Sequence, residues 1–159
     1  MMGKDIKTQI EDCSIFTEYF RENPDARETF VKYAEAGMKM DKYHAMQLLI
    51  DEYMNMCGIS ITYRTVVFYA GSAIFDDYRQ HDEHNRFGEE ERFCEVMGLI
   101  NPRYTPEYDE YDISYLKNRE VIQICMEDML PDLDEETKAA LCYGLFLSIL
   151  EQQNMKKRV

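Results

Sequence analysis

Apolar residues recur along most of this chain at helical rather than strand spacing. Between Asp5 and Glu22, Ile6, Ile10, Cys13, Thr17 and Phe20 follow in steps of four and three, with Phe16 beside them, which predicts one helix over 5–22. Asn23-Pro24 then reads as an N-cap followed by proline at the first helical position, opening a second helix to Ala36. Phe30, Val31, Tyr33 and Ala34 form its apolar side, and Gly37 is expected to end it as a left-handed cap. Asp41 is expected to cap a third helix with the stripe Tyr43, Met46, Ile50, Tyr53 and Cys57, closed by Gly58.

Residues 59–69 carry two signals. Ile59, Ile61, Thr62, Thr65, Val66 and Val67 are β-branched and suit a strand. Tyr63, Val66, Val67, Ala70, Ile74 and Tyr78 nevertheless keep helical spacing beyond strand length, so a helix from Ser60 to about Asp82 is expected, with Gly71 inside it. A short helix over Glu89–Met97 follows, then a Tyr-rich loop through Asn101-Pro102 and Thr105-Pro106 to Tyr111. A sixth helix is expected from Asp112 to Met129, turning Tyr115, Ile122, Cys125, Met126 and Met129 inward, with Pro131 breaking the chain. Asp132-Leu133-Asp134-Glu135 loosely matches a capping box for the last helix, expected to run to about Asn154. Lys156-Lys157-Arg158 complement its negative end.

Ala139–Leu150 organises the whole. It is apolar on every side, so it must be buried on every side, yet it falls short of the roughly 20 residues a bilayer span needs. The fold expected is all-α: a single-domain helical bundle of six or seven helices, covering 1–159, around a buried C-terminal helix. Leu141, Leu145, Phe146, Ile149 and Leu150 should centre the core, with the third helix and the Tyr63–Tyr78 helix as neighbours. The low counts of seven Gly and four Pro agree with long helices rather than many turns.

Charge changes the picture most. The net charge is −13, and residues 105–136 contribute eleven acids against Lys117 and Arg119. Such a surface repels nucleic acid and anionic membrane and attracts basic proteins. Five cysteines, with no C-x-x-C and no signal-like apolar run after Met1, indicate reduced thiols used as small core residues and a cytoplasmic setting.

Candidate chemistry is sparse. Asp77, His81 and His84 share one helical face at i, i+4 and i+7 and could ligate zinc or ferrous iron, the basis of an alternative reading as a metal-dependent helical-bundle enzyme. A polar helix end explains the same residues with less, because no second ligand set matches them. Asp132, Asp134 and Glu136 alternate like calcium ligands, but Thr137 and Tyr143 occupy the positions where an EF-hand needs Gly and Glu, so helix capping is the better account. There is no G-x-S-x-G, no cysteine next to a histidine and no Gly-rich phosphate loop, so no catalytic residues and no cofactor are assigned.

What remains is the acidic surface itself. Glu107, Tyr108, Asp109, Glu110, Tyr111 and Asp112 alternate acids with tyrosines, and Glu120, Glu127 and Asp128 decorate the following helix. Carboxylate-bearing residues three or four apart on a helix have Cβ atoms roughly 5–6 Å apart, the order of the spacing between phosphates along a strand. A rigid face of this kind can present a decoy to a nucleic-acid-binding groove, with tyrosines as apolar anchors. In charge and fold it is similar to DNA-mimic inhibitors of restriction or CRISPR enzymes, of phage or mobile-element type. The expectation is a non-enzymatic interaction protein that binds a basic, nucleic-acid-handling protein, without touching nucleic acid or membrane. A second alternative is an obligate homo-oligomer packed through Met- and Tyr-rich faces.

Overall fold

The computed structural model describes residues 5–55, 63, 66–74 and 118–158, and the fold they build is all-α. In chain order these are α1 (Ile6–Glu11), α2 (Ser14–Glu22), α3 (Pro24–Lys39), α4 (Lys42–Asn55), α5 (66–74), α6 (Asn118–Gln123) and α7 (Glu135–Arg158). Between α6 and α7 the chain passes through a π-helical turn, Ile124–Met129, and a 3-10 turn, Leu130–Asp132. Among the described residues no helix is long and apolar enough to cross a membrane.

The expected central helix is α7. Leu141, Cys142, Leu145 and Ile149 are 0% exposed, and every residue from Ala139 to Phe146 is buried, whereas Leu150, expected at the centre of the core, is only half-buried. Its most extensive neighbour is α3, which was not among the expected ones; the expected third helix, α4, lies alongside, and the expected contact with the stretch after Tyr63 is made by α5. Two glycines set these distances. A Cβ on Gly37 would lie 2.5 Å from the Tyr143 Cβ, and one on Gly144 would lie 2.5 Å from the Ala70 carbonyl oxygen. Against the middle of α7 the rings of Phe16, Phe20 and Phe30 form a cluster that reaches Phe146, with Phe16 centred 5.3 Å from Phe30 and 6.4 Å from Phe146.

Several local expectations are corrected. The helix expected over 5–22 is two helices, broken at Cys13, whose backbone is extended at φ −102° and ψ 114°. In one straight helix Ile15 would lie opposite Ile6, at roughly 100° per residue. The break allows Ile6, Ile10 and Cys13 to be buried together with Ile15, Phe16, Tyr19 and Phe20, whereas Thr17 is only half-buried. Gly37 does not cap α3: the helix continues to Lys39, and this glycine serves the close approach to α7. Asn23 marks the start of α3 but does not cap it with its side chain, because its amide donates to the Tyr19 carbonyl at the end of α2 instead.

Asp41 does cap α4, accepting from the His44 N–H at 3.0 Å. The face α4 buries is Ala45, Met46, Leu49 and Ile50, shifted from the predicted stripe so that Tyr43 is only half-buried. The strand-or-helix question at 59–69 falls to helix at Tyr63 and over 66–74; the rest of the expected Ser60–Asp82 helix, the Glu89–Met97 helix and the Tyr-rich loop lie outside the described residues. Pro131 does not end a straight α-helix. The Leu130 N–H bonds to the Cys125 carbonyl five residues back, and in such a turn Leu130 comes above Cys125 instead of a third of a turn away. Cys125, Met129 and Leu130 are thereby buried together. The cap of α7 is Asp134 rather than Asp132, bonding the Thr137 N–H at 2.8 Å, and α7 extends to Arg158.

Because the atoms facing Gly144 are backbone and Cβ of Ala70, G144A cannot be relieved by a side-chain rotation. We expect it to destabilise the protein by about 1–3 kcal/mol through overpacking, outweighing the roughly 1 kcal/mol that alanine gains in helix propensity. Urea unfolding measures the difference, and a variant more stable than the parent would show that α5 and α7 are not in backbone contact.

Candidate acidic interaction surface

The acids that the sequence assigns to recognition divide in the structure by what they already hold. Asp134, Glu135 and Glu136 open α7 at its positive end, where carboxylates are favoured. Each also makes a specific bond. Asp134 caps Thr137, which holds its carboxyl below the usual carboxylate range through the backbone bond first. Glu135 accepts from the Tyr33 hydroxyl at 2.8 Å, and this bond, ahead of nearby Lys138, holds its carboxyl below the ordinary value as well. Glu136 meets His44 Nε2 at 2.8 Å, joining the starts of α7 and α4.

A second tie secures the π turn, where Glu127 accepts from the Tyr19 hydroxyl at 2.9 Å. Tyr19 and Tyr33 are both buried, so each phenol needs a partner, and an acid at the surface above supplies it. Glu120, Asp128 and Asp132 are exposed and make no hydrogen bond or ion pair among the described residues. Of the predicted recognition residues, Glu120, Glu127 and Asp128 are therefore placed at the surface of α6 and the π turn. Glu107, Tyr108, Asp109, Glu110, Tyr111 and Asp112 lie outside the described residues, as do Asp77, His81 and His84. Among the described residues no group of three His, Cys, Asp or Glu could hold a metal ion. Asp132, Asp134 and Glu136 sit in a turn, a cap and an ion pair respectively.

The thiols bear on chemistry too. Cys13, Cys125 and Cys142 are buried and not disulfide-bonded. Burial pushes the Cys142 thiol well above its ordinary value, with its hydrogen bond to Cys125 as the second cause. A thiol held protonated in this way is a core residue and a poor nucleophile.

Sequence reasoning missed a cleft of about 580 Å³ between the α2–α3 corner and the turns before α7. Tyr19, Tyr33, Met126 and Leu130 contribute to its lining, with Glu127 and Lys138 above them. The available signal was the placement of Tyr19 and Tyr33 among core residues, since a buried phenol calls for a polar partner. Which acid would answer was not readable, because both pairs span about a hundred residues of chain.

Across the α4–α7 contact Glu52 is half-buried, and its carboxyl is raised, by desolvation first and by the Asp134 charge second. The signs of these shifts are opposite. The depressed carboxyls of Asp134 and Glu135 contribute stability that is complete above the ordinary range, about 4 to 4.5, and is lost as pH falls through their lowered values. Glu52 destabilises the fold above its raised value, and the penalty fades as pH falls through it. We expect E52Q to raise the unfolding midpoint at pH 7 and to lose that advantage as the pH falls below the ordinary carboxylate range. In Y33F, carboxyl-carbon NMR should find the Glu135 titration moved up toward the ordinary range; an unmoved titration would mean that the Tyr33 bond does not hold it.

Comparison with protein-family models, with curated proteins and with solved structures finds no match, so charge and geometry are what a functional reading has to build on.

Proposed function

We propose that this chain is a non-enzymatic, cytoplasmic interaction protein that captures a basic, nucleic-acid-handling protein through its 105–136 surface, as an inhibitor or nucleic-acid mimic. The observation that carries the reading is the exposure of all seven acids between 118 and 136, on a scaffold that holds several of them in place. Glu127 is tied to α2, Glu135 to α3 and Glu136 to α4, so the carboxylates are ordered before a partner arrives. A pre-ordered charged face loses little conformational entropy on binding, which favours both affinity and selectivity for a complementary basic groove. The cytoplasmic setting is supported by the three buried thiols at positions 13, 125 and 142.

A pull-down from native host lysate at low and high salt tests the reading. Capture of a basic nucleic-acid enzyme is expected, weakening as salt rises. The triple reversal E120K/D128K/D132K should abolish capture while leaving the helical circular dichroism unchanged, since none of these carboxylates bonds to another described residue. Reversal at Glu107, Asp109, Glu110 and Asp112 should act in the same direction. Capture that survives both sets of reversals would rule the surface out.

A further inference from the structure

The cleft at the α2–α3 corner has a composition that selects among ligands. Three carboxylates line it: Glu22 from the end of α2, Asp25 from the first turn of α3 and Glu127 from the π turn. Among the described residues its one lining cation is Lys138, which lies 3.4 Å from the Glu135 carboxylate and is thereby paired within the protein. Below these charges the floor includes the buried rings of Tyr19 and Tyr33 and the apolar side chains of Met126 and Leu130. An anionic ligand would meet the three carboxylates, and a wholly apolar one would strip water from them without replacing it.

The same corner shows how it treats a cation. Tyr33 and Glu135 form a phenol–carboxylate pair, and the Lys138 ammonium sits 5.5 Å from the centre of that ring while pairing with that carboxylate. Tyr19 and Glu127 form a second pair with the same hydrogen bond, and this pair opens on the cleft. Only one Glu127 oxygen is engaged by Tyr19, and a carboxylate has about four acceptor sites, so capacity remains for a donor arriving from solvent.

We propose that this cleft receives an arginine side chain of the basic partner, with the Glu127 and Asp25 carboxylates of its lining as acceptors. The inference rests on the acidic-surface reading above and names its anchor point. A guanidinium fits for three reasons: it is planar, it is weakly hydrated, and it can bond carboxylates with two parallel N–H groups while lying against an aromatic or apolar floor. A lysine ammonium is compact and strongly hydrated and would forgo the second bond and the stacking. The volume lies within the range of about 300–1,000 Å³ that ligand pockets occupy, enough for the side chain with some of its flanking backbone. The cleft is open to solvent on one side, so an arriving side chain can enter without rearrangement. Arginine is among the residues that most often carry binding energy at protein interfaces.

The test is an NMR titration of the full chain with an acetylated, amidated tri-arginine peptide at low salt, against tri-lysine and tri-citrulline controls. The arginine peptide should shift the resonances of Ala26, Thr29, Met126 and Glu127, bind more tightly than tri-lysine, and leave tri-citrulline without measurable binding. The double variant D25N/E127Q should weaken arginine binding about tenfold, the size expected for losing charge-assisted hydrogen bonds. The side-chain amide oxygen that E127Q leaves in place can still accept from Tyr19, and D25N alone supplies a milder variant with a smaller loss. E120Q/D128N, outside the cleft lining, should change the affinity less than D25N does. Arginine binding that is unaffected by D25N/E127Q, or shifts that map only to Glu120, Asp128 and Asp132, would overturn the cleft while leaving the acidic surface as the binding face. No binding of either cationic peptide would overturn both.

Discussion

The structure depends on burying the stretch Ala139–Phe146 of α7 from all directions at once. A helix with no polar face can be accommodated only if neighbours cover its full circumference, and ordinary side chains on both partners keep helix axes about 8–10 Å apart. Gly37 and Gly144 remove the side chain at two crossings, with α3 against Ala139 and Tyr143 and with α5 against Ala70. Magnitudes explain why this constraint governs the rest. Each fully buried leucine, isoleucine or phenylalanine contributes roughly 1.5–3 kcal/mol. A hydrogen bond contributes roughly 0.5–1.5 kcal/mol net and an exposed ion pair less still. An exposed contact such as Arg27–Glu11 at 3.7 Å therefore decorates a fold that packing has already determined.

The acids near the start of α7 then acquire a second task. Packing sets which helices touch, but a stripe of leucine and phenylalanine leaves some freedom to slide along the axis. Directional bonds at one end reduce it: Tyr33 to Glu135 ties α3 to α7 and Tyr19 to Glu127 ties α2 to the π turn, while the exposed His44–Glu136 contact between α4 and α7 adds less. All three acids are exposed, so none carries the desolvation cost of a buried charge. This arrangement ties Glu127, Glu135 and Glu136 to the helix scaffold, and under the proposed function the same carboxylates would serve as structural clasp and recognition surface.

The features legible in the sequence were those that depend on local periodicity. Ala139–Leu150 announced its own burial, and the Asp41 cap and the start of α3 at Pro24 followed from neighbouring residues alone. Features that depend on distant packing were not legible. Gly37 has the same letter whether it ends a helix or admits another one, and only the presence of α7 beside it decides. The break at Cys13 reflects apolar residues on two faces, Ile6 and Ile10 against Ile15 and Tyr19, which a single stripe could not reveal. The π turn had the same cause, since Cys125, Met129 and Leu130 can all turn inward only if the helix widens. Of the candidate site, the acids could be named and their charge weighed; the tyrosines beneath them could not be paired.

That difference bears on how charge should be read in a chain like this. A run of acids is by default a solvated face, and Glu120, Asp128 and Asp132 fit that description among the described residues. Glu127 does not, because a buried phenol reaches up to it and a cleft opens beside it. A carboxylate oriented from below presents its remaining lone pairs in a fixed direction, while one on a mobile side chain must give up rotamer entropy before it can bond. Selectivity for a planar, two-pronged donor over a spherical one requires that fixed direction. Under the proposed function, an acid already bonded within the fold, as Glu127 is, would discriminate between basic partners, and exposed acids outside the cleft would draw a partner in through long-range charge.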